Sequence, residues 1–306
     1  MLAVAPASAQ PDKPLRLIVP LTAGSAVDGL ARALAPELGK GFGQPVFVDN
    51  LPGAGGTTGT HQVVRAPKDG STLGLVASGH VINPFIYKSI PFDAFKDVTP
   101  VSVIAASPLV LVVNVEVPAK DIKSLIALLK GEPEKYNYGS AGNGSVAHLA
   151  TALFAKEAGV SLRHVPYRGV GPLLTDLIGG QVQMAFIGTS AAQPHIAAGK
   201  LRALGVSSTK RAASLPDVPT IDEAGVPNYQ YEPWIAVIGP ADLPAEQAIK
   251  AASVFRTAIS SPTLSETLTA QGFVVSGTSP EEARVFFASE LKKQETLVRD
   301  SGAILE

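Results

Sequence analysis

The sequence predicts an α/β fold in which mainly parallel strands alternate with helices, arranged as two domains. Apolar strand-like runs alternate with helical patterns from Leu15 onward. The 306 residues, 46% of them hydrophobic, are enough for two cores. Four of the strand-like runs end in a loop of small residues directly before a helix, and these transitions are Leu15–Pro20 into Thr22-Ala23-Gly24-Ser25, Leu73–Ala77 into Ser78-Gly79-His80, Tyr136–Gly139 into Ser140-Ala141-Gly142-Asn143-Gly144-Ser145, and Gln183–Ile187 into Gly188-Thr189-Ser190.

The N-terminal third begins with a strand at Leu15–Pro20 and a helix after it. Ser25 and Asp28 match the S-x-x-[DE] capping pattern, which predicts Ser25 as N-cap with Asp28 reaching back. We expect Gly39 and Gly41 to end the helix. Its buried face is predicted to contain Leu30, Leu34 and Leu38, and the next two strands are Pro45–Asp49 and Ser71–Ala77.

Two long apolar segments, each interrupted near its middle by residues that include a proline, are candidates for a hinge. Val101–Val113 is interrupted by Ala105-Ala106-Ser107-Pro108, and Tyr229–Ile238 contains Pro233-Trp234. Two strands of this kind would cross between domains. The alternative is one large sheet with ordinary long strands. The hinge interpretation divides the chain into a first domain at 11–104 plus 236–306 and a second domain at 105–235. Residues 1–10 are set apart as a residual leader.

The inserted region and the C-terminal region continue the alternation. Ser145 is a plausible N-cap for a helix with Leu149 and Leu153 on one side. The C-terminal helix begins with Pro after its cap, in the capping box Ser279-Pro280-Glu281-Glu282, and presents Ala283, Phe287 and Leu291 on one face. The remaining predicted elements are strands at Tyr136–Ser140, Arg163–Pro166, Gln183–Ile187 and Leu201–Ser207, and helices at Pro172–Ile178 and Ala191–Ala198.

Composition excludes several classes of function. The net charge is −1 with no basic block, which argues against a nucleic-acid partner. The chain has no Cys, so disulfides, thiolate catalysis and Cys-ligated zinc are excluded. Ala7-Ser8-Ala9 resembles a signal-peptidase site at the end of an apolar stretch, which predicts export to the periplasm from a truncated signal peptide. The alternative is a plain Ala-rich terminus.

The four loops predict a site for a small anion. Loops of this composition present backbone N–H groups, hydroxyls and helix N-termini, which are groups that bind anions. None of the four contains Lys or Arg. We therefore expect neutral donors to hold a carboxylate, with an affinity that depends weakly on salt.

Motifs for other chemistry are incomplete. The segment Gly53–Gly59 lacks the Lys of a P-loop, and Thr58 stands where a dinucleotide fingerprint needs its third Gly. Neither Ser140 nor Ser145 lies in G-x-S-x-G, so a capping or loop role is favoured over a nucleophile. No two His are spaced i, i+4, and no metal site is predicted. The sequence leaves open whether His80 and His148 contact a ligand or have a packing role. Asp28 and Trp234 are interpreted as structural residues.

Several segments together resemble the Bug-type extracytoplasmic solute receptors, the binding components of tripartite tricarboxylate transporters. The resemblance covers nearly the whole chain after the leader. It is carried by Ile18-Val19-Pro20 with Gly24 and Asp28, Val48–Gly56, Ala66–Gly70, Asn137–Gly144 with His148-Leu149, Val165–Gly169, Leu177–Val182, Gly199–Leu204 and Leu215–Thr220. The first loop departs from the family's usual Pro-Gly-Gly, since it reads Ala23-Gly24-Ser25.

The resemblance implies a type II periplasmic-binding-protein fold with two crossing strands as a hinge and a ligand in the cleft. It implies a small organic acid as ligand, no cofactor, membrane transporter subunits as partners, and a monomer. The alternatives are an α/β hydrolase or transferase, or a receptor that signals to a membrane sensor. The predicted ligand contacts are Thr22, Gly24, Ser25, Ala26, Asp28, Ser78, His80, Ser140, Gly142, Asn143, Ser145, Gly188, Thr189 and Ser190.

Overall fold

The computed structural model describes residues 14–132 and 135–303. The predicted leader at 1–10, with its cleavage site, lies outside these residues. In chain order the elements are β1 (Leu15–Val19), α1 (Ala26–Phe42), β2 (Val46–Asn50), α2 (Thr57–Val64), β3 (Thr72–Ala77), α3 (Gly79–Ile86), β4 (Val98–Ala106), β5 (Leu109–Asn114), α4 (Ile122–Gly131), β6 (Asn137–Ser140), α5 (Val146–Ala158), β7 (Arg163–Pro166), α6 (Val170–Ile178), β8 (Met184–Gly188), α7 (Thr189–Ala197), β9 (Leu201–Val206), β10 (Trp234–Pro240), α8 (Ala245–Ile259), α9 (Pro262–Ala270), β11 (Val274–Val275) and α10 (Pro280–Ser301).

The strands form two separate sheets. The first sheet has the order β11-β4-β10-β3-β1-β2, and the second has the order β7-β6-β8-β5-β9. Strands β1, β2 and β3 are parallel to one another, as are β6, β7 and β8, while β10 and β5 run antiparallel to their neighbours. The predicted α/β class is therefore confirmed, and the alternative of one large sheet is wrong. The prediction of mainly parallel sheets is also wrong, because β5 and β10 run against their neighbours, and five of the nine strand pairs in the described residues are antiparallel.

Helix α1 shows how local sequence sets the first sheet's packing. The predicted face is confirmed, because Leu30, Leu34 and Leu38 are buried against the sheet. The predicted end is wrong. The helix continues through Gly39 and Gly41 to Phe42 and ends at Gly43, whose left-handed φ of 75° suits glycine.

Two chain segments connect the sheets. The first is Ser107-Pro108, between β4 in the first sheet and β5 in the second. The predicted single run Val101–Val113 is therefore two strands in different sheets. The second segment is the chain before β10, which begins at Trp234, so the Tyr229–Pro233 part of the predicted strand is irregular. The Ser107 amide donates to the Pro233 carbonyl at 2.7 Å and joins the two segments.

Helix α10 packs on both sheets. Its first half inserts Ala283 and Phe287 beside Trp234, and its last turns place Leu297 and Val298 in the core of the second sheet. Lys156 of α5 forms an ion pair with Asp300 at 2.8 Å. The C-terminal helix therefore spans both sheets, which its amphipathic pattern alone does not indicate. No helix in residues 14–132 and 135–303 has the length and hydrophobicity to cross a membrane.

Candidate functional site

The carboxyl ends of the parallel strands place the four predicted loops at adjoining sheet edges. Strands β1 and β3 end at one edge of the first sheet, and β6 and β8 end at one edge of the second. Strand β4 leads into β5, whose first residue Leu109 pairs with Gly188 at the end of β8. The two edges therefore meet at the crossing segments, and α1, α3, α5 and α7 begin there. This is the kind of location where open α/β sheets bind ligands.

The first loop is organised around Asp28. Gly24 N–H donates to Asp28 Oδ2 at 2.8 Å, and Asp28 N–H donates to Ser25 Oγ at 3.3 Å. The Ser25 N–H donates to the Thr22 carbonyl at 3.1 Å. The predicted N-cap at Ser25 is confirmed. The carboxylate returns to Gly24, one residue before the cap, because the left-handed φ of 81° at Gly24 turns its amide toward the helix.

Two residues outside the loop hold this carboxylate in place. Arg32 Nε lies 2.9 Å from Asp28 Oδ1, and Arg32 Nη2 donates to Asn50 Oδ1 at 2.8 Å. Asn50 Nδ2 donates to the Leu21 carbonyl at 3.2 Å. The Gly24 amide and the Arg32 guanidinium lower the pKa of Asp28 from its usual value. Asp28 is only 3% exposed, so it stabilises the loop, in agreement with the structural interpretation of this residue.

Several donors of the first loop remain available. No described residue accepts a hydrogen bond from the Ala26 or Val27 amide, which are first-turn amides of α1. The Thr22 side chain is exposed, and the Ser25 hydroxyl hydrogen has no acceptor among the described residues. Together with the partial positive charge of the helix N-terminus, these groups favour an anion. The Gly24 and Ser25 amides are already paired.

In the second loop, the side chain of Ser140 is held by hydrogen bonds to Gly142 and His164. Its Oγ lies 2.6 Å from His164 Nε2, donates to the Gly142 carbonyl at 2.9 Å, and accepts from the Gly142 amide at 3.2 Å. The residue is fully buried. The pair of Ser140 and His164 resembles a nucleophile and its base in the distance between them, but the hydroxyl is fully buried and donates to a carbonyl of its own loop. Its side chain therefore holds the loop closed on itself.

His148 supports the same loop from the first turn of α5. The Gly144 amide donates to His148 Nδ1 at 3.1 Å, and the His148 ring stacks on His164 with centroids 4.0 Å apart. Burial, and after it the nearby His164, lowers the pKa of His148 to about 4. The ring is therefore neutral at pH 7, with a lone pair on Nδ1, and it acts as an acceptor inside the loop.

The start of α5 mirrors the start of α1. Ser145 Oγ accepts from His148 N–H at 3.3 Å, so the predicted N-cap is confirmed. The amides of Val146 and Ala147 meet no acceptor in the described chain. Asn143 is exposed, and its side chain makes no hydrogen bond to the described residues. The second sheet thus offers amides, a hydroxyl and a carboxamide of the kind that the first loop offers.

Ser78 and His80 lie deeper. His80 Nε2 is 2.7 Å from the Ala94 carbonyl and donates to it, and the ring stacks on Phe92 at 6.1 Å. Burial lowers the pKa of His80 to about 4, so its Nδ1 is a bare acceptor, and it has no partner among the described residues. The Ser78 hydroxyl is buried without a partner as well. A cavity of about 40 Å³ lies beside His80, bounded by Gly55, Thr60 and Asn83, and this volume suits about two waters rather than a whole organic acid.

The fourth loop is divided by burial. Gly188 ends β8, Thr189 is 1% exposed, and Ser190 is exposed. A Cβ at Gly272 would lie 2.4 Å from Thr189 Oγ1, so this hydroxyl is packed against the turn between α9 and β11. Ser190 is therefore the side chain of this loop that is accessible to a ligand.

The predicted residues separate into two groups. Available side chains or amides belong to Thr22, Ser25, Ala26, Asn143, Ser145 and Ser190. Supporting residues, buried or already paired, are Asp28, Ser78, His80, Ser140 and Thr189, together with the amides of Gly24 and Gly142 and with Gly188, which pairs with Leu109 in the sheet. Sequence reasoning missed the partners that fix the loops, which are Arg32, Asn50 and His164, and it missed the loop after β7. That loop has the same strand-to-helix pattern, at Arg163–Pro166, and this signal was present in the sequence.

Comparisons with known proteins agree with this geometry. The model of the tripartite tricarboxylate transporter family receptor matches residues 30–303. Protein BugT of Bordetella pertussis is 36% identical over 306 residues, covering 99% of this chain and 94% of its own length. The adipate-bound R. palustris protein Rpa4515 is 32% identical with a TM-score of 0.83, and the alignment covers 96% of this chain and 99% of that one. MatC from Rhodopseudomonas palustris, solved with bound malate, is 28% identical with a TM-score of 0.78, over 94% of this chain and 100% of its own.

Proposed function

The chain belongs to the tripartite tricarboxylate transporter receptor family, and from this membership we propose that it captures a small carboxylate-containing organic anion between its two sheets. The ligand contacts proposed are the available groups of the predicted set. Thr22, Ser25 and the Ala26 amide act from the first sheet, and Asn143, Ser145 and Ser190 act from the second. Gly24, Asp28, Ser78, His80, Ser140, Gly142, Gly188 and Thr189 shape these loops.

The observation that carries the proposal is the pairing of α1 and α5. Both helices begin at the adjoining sheet edges with a serine cap and unpaired first-turn amides. Each helix N-terminus carries a partial positive charge equivalent to roughly half an elementary charge. A carboxylate between them would accept hydrogen bonds from both halves without any Lys or Arg in either loop.

Capture would occur by closure of two domains, 11–104 with 236–306 and 105–235. The proposed boundaries are supported by the end of β4 at Ala106 and the start of β10 at Trp234, close to the crossing segments. A ligand that contacts both domains favours the closed form by its differential affinity. The contacts of α10 with both sheets restrict the directions in which the domains move apart.

The proposed biological context is an exported, monomeric receptor that delivers its ligand to the membrane subunits of a tripartite transporter. Relatives that bind adipate and malate make dicarboxylates the first compounds to test. Signalling to a membrane sensor stays open as a second use of the same capture step. The buried Ser140 gives no support to a hydrolase or transferase.

The test is a thermal-shift screen followed by calorimetry. The protein is unfolded and refolded first, so that ligand retained from the cell is removed. A ligand present at about 100 times its Kd adds about 2.7 kcal/mol to the free energy of unfolding. Mono-, di- and tricarboxylates, aromatic acids and acidic amino acids form the panel, and turnover is measured in the same samples. Stabilisation by a few related acids without turnover supports the proposal, and stabilisation by none contradicts it.

A further inference from the structure

The loop after β7 lies directly against the second-sheet loop of the proposed site. Strand β7 pairs in parallel with β6, and the Tyr167 amide donates to the Ser140 carbonyl at 2.9 Å. A Cβ on Gly142 would lie 3.4 Å from the Tyr167 carbonyl oxygen. The next residue, Arg168, therefore stands at the same sheet edge as Asn143 and Ser145, one strand spacing away.

Arg168 is a free cation in this position. Its side chain is exposed and makes no hydrogen bond or ion pair with the described residues. The adjacent carboxylate, Asp176, accepts from the Tyr167 hydroxyl at 2.8 Å. Arg32, Arg202 and Arg211 are occupied, since Arg32 pairs with Asp28, Arg211 pairs with Glu223, and Arg202 donates to the Val115, Val117 and Ala119 carbonyls. Other unpaired arginines of the described chain, such as Arg163, lie away from the carboxyl end of β6.

The charge is also distinctive among the loops that follow parallel strands. The segments after β1, β2, β3, β6 and β8 contain no Lys or Arg before the next helix begins. The expected neutral donors can therefore bind one end of a ligand, and the loop after β7 adds the guanidinium of Arg168 beside them. A guanidinium binds a carboxylate through two parallel hydrogen bonds, which neutral amides and hydroxyls match less well.

We propose that Arg168 binds the second carboxylate of a dicarboxylate whose first carboxylate lies between α1 and α5. The inference rests on the proposed function and deepens it by naming the residue that selects among carboxylic acids. The neutral donors fix the first carboxylate, and the length of the Arg168 side chain accommodates the separation between the two. Arg168 is thus the residue that discriminates a dicarboxylate from a monocarboxylate of the same chain length.

Among the residues that the structure describes, another free cation also lies at this edge of the second sheet. Lys210 follows β9, is exposed, and its ammonium has no partner among the described residues. Strand β9 is at the opposite side of the second sheet, three strands from β6, whereas β7 is adjacent to β6. At a strand spacing of about 4.8 Å, the start of the Lys210 segment is roughly 14 Å from the end of β6. The geometry therefore favours Arg168 over Lys210.

The experiment compares chain-matched acids on four proteins. Succinate with butyrate, and adipate with hexanoate, are titrated by calorimetry into the refolded wild type, Arg168→Gln, Arg163→Gln and Lys210→Gln. Arg163 is an exposed cation at the start of β7, whereas Arg168 follows the end of that strand, so Arg163 is the matched control. We expect the wild type to prefer at least one dicarboxylate by tenfold or more. Arg168→Gln should lose at least tenfold for that dicarboxylate and less than twofold for the monocarboxylate.

The other outcomes separate the inference from the proposed function. An unchanged preference in Arg168→Gln, an equal loss for both acids, a wild type without a preference, or a loss that follows Lys210→Gln instead would each overturn the assignment of Arg168. Binding of some carboxylate in any of these cases leaves the proposed function intact. A wild type that binds no carboxylate contradicts both. Circular dichroism spectra matching the wild type show that the exposed substitutions leave the fold unchanged.

Discussion

The Gly24 amide donates to the Asp28 carboxylate at 2.8 Å, across the turn that starts α1. This bond closes the first loop before any ligand arrives. Arg32 of α1 holds the same carboxylate, and Asn50 of β2 holds the Leu21 carbonyl, so the loop is preorganised from two elements. Preorganised donors lose less conformational entropy when a ligand binds. The loop residues that contact no ligand are therefore expected to control affinity.

Asp28→Ala tests this expectation. Loss of a hydrogen-bonded charged group should lower the free energy of unfolding by about 2 kcal/mol, and ligand affinity should fall at least tenfold because the Gly24 turn is released. Urea unfolding and calorimetry measure the two effects. Glu37→Ala is the control, since Glu37 lies on the same helix and pairs with Lys40 at the surface, a contact worth about 0–1 kcal/mol. Unchanged affinity in Asp28→Ala would show that the loop forms without this carboxylate.

Ser25 has two roles that substitution can separate. Ser25→Ala removes an N-cap and should lower stability by about 1 kcal/mol, whereas Ser25→Gly should cost only a few tenths of a kcal/mol. Both remove the hydroxyl, so both should weaken ligand binding if Ser25 contacts the ligand. Ser279→Ala, which removes the cap of α10, should lower stability and leave affinity unchanged. If the loss of ligand affinity parallels the loss of stability in all three variants, a direct contact between Ser25 and the ligand is contradicted.

The serine caps were predictable because capping is local. Ser25, Ser145 and Ser279 each accept from an amide three residues later, and the sequence pattern spans the same four residues. The partners that hold the site are not local. Asn50 lies 18 residues from Arg32, and His164 lies 24 residues from Ser140, so no short pattern indicates either contact.

The crossing segments were predicted as two continuous strands, and the reason for the error is physical. Both segments are apolar and β-branched, which indicates burial in a sheet. The pattern does not show that Pro108 and Pro233 end the pairing, since proline removes a ladder donor. The break at each proline divides one apolar run between two sheets or between a strand and an irregular segment.

Gly144→Ala tests a close contact between the second-sheet loop and α3. A Cβ at Gly144 would lie 2.1 Å from Ile86 Cδ1, and the φ of 72° is left-handed. We expect a loss of about 1–3 kcal/mol in the free energy of unfolding, from overpacking and backbone strain. Gly29→Ala, at a helical position with open space, should instead be neutral or stabilising by up to about 1 kcal/mol.

Combining Gly144→Ala with Ile86→Ala separates the two causes. If overpacking dominates, the double variant should lose less stability than the two single variants summed, with a coupling of about 1 kcal/mol. Strict additivity would show that the loss comes from the backbone conformation alone, and that the loop does not press on α3. Urea midpoints for the four proteins of the cycle give the coupling.

The stacked pair of His148 and His164 predicts a loss of stability in mild acid. Burial lowers the pKa of His148 to about 4, and the ring also sits in the first turn of α5, where a positive charge is disfavoured. The unfolded chain binds a proton at this residue near pH 6.5, whereas the folded chain does so only near pH 4. Stability is therefore complete above about pH 6.5 and declines as the pH falls toward 4, by about 2 kcal/mol between pH 7 and pH 5.

His148→Asn removes the titrating ring and keeps an acceptor for the Gly144 amide, because asparagine Oδ1 can take the position of Nδ1. The variant should lose about 2 kcal/mol less than the wild type when urea unfolding at pH 7 is compared with pH 5, since the neutral amide binds no proton in either state. The difference between the two proteins at pH 7 reports the packing change alone. His80, with its own pKa of about 4, keeps part of the slope in both proteins. An identical slope in the variant and the wild type would show that His148 has the same pKa in the folded and the unfolded chain, so that its protonation does not oppose folding.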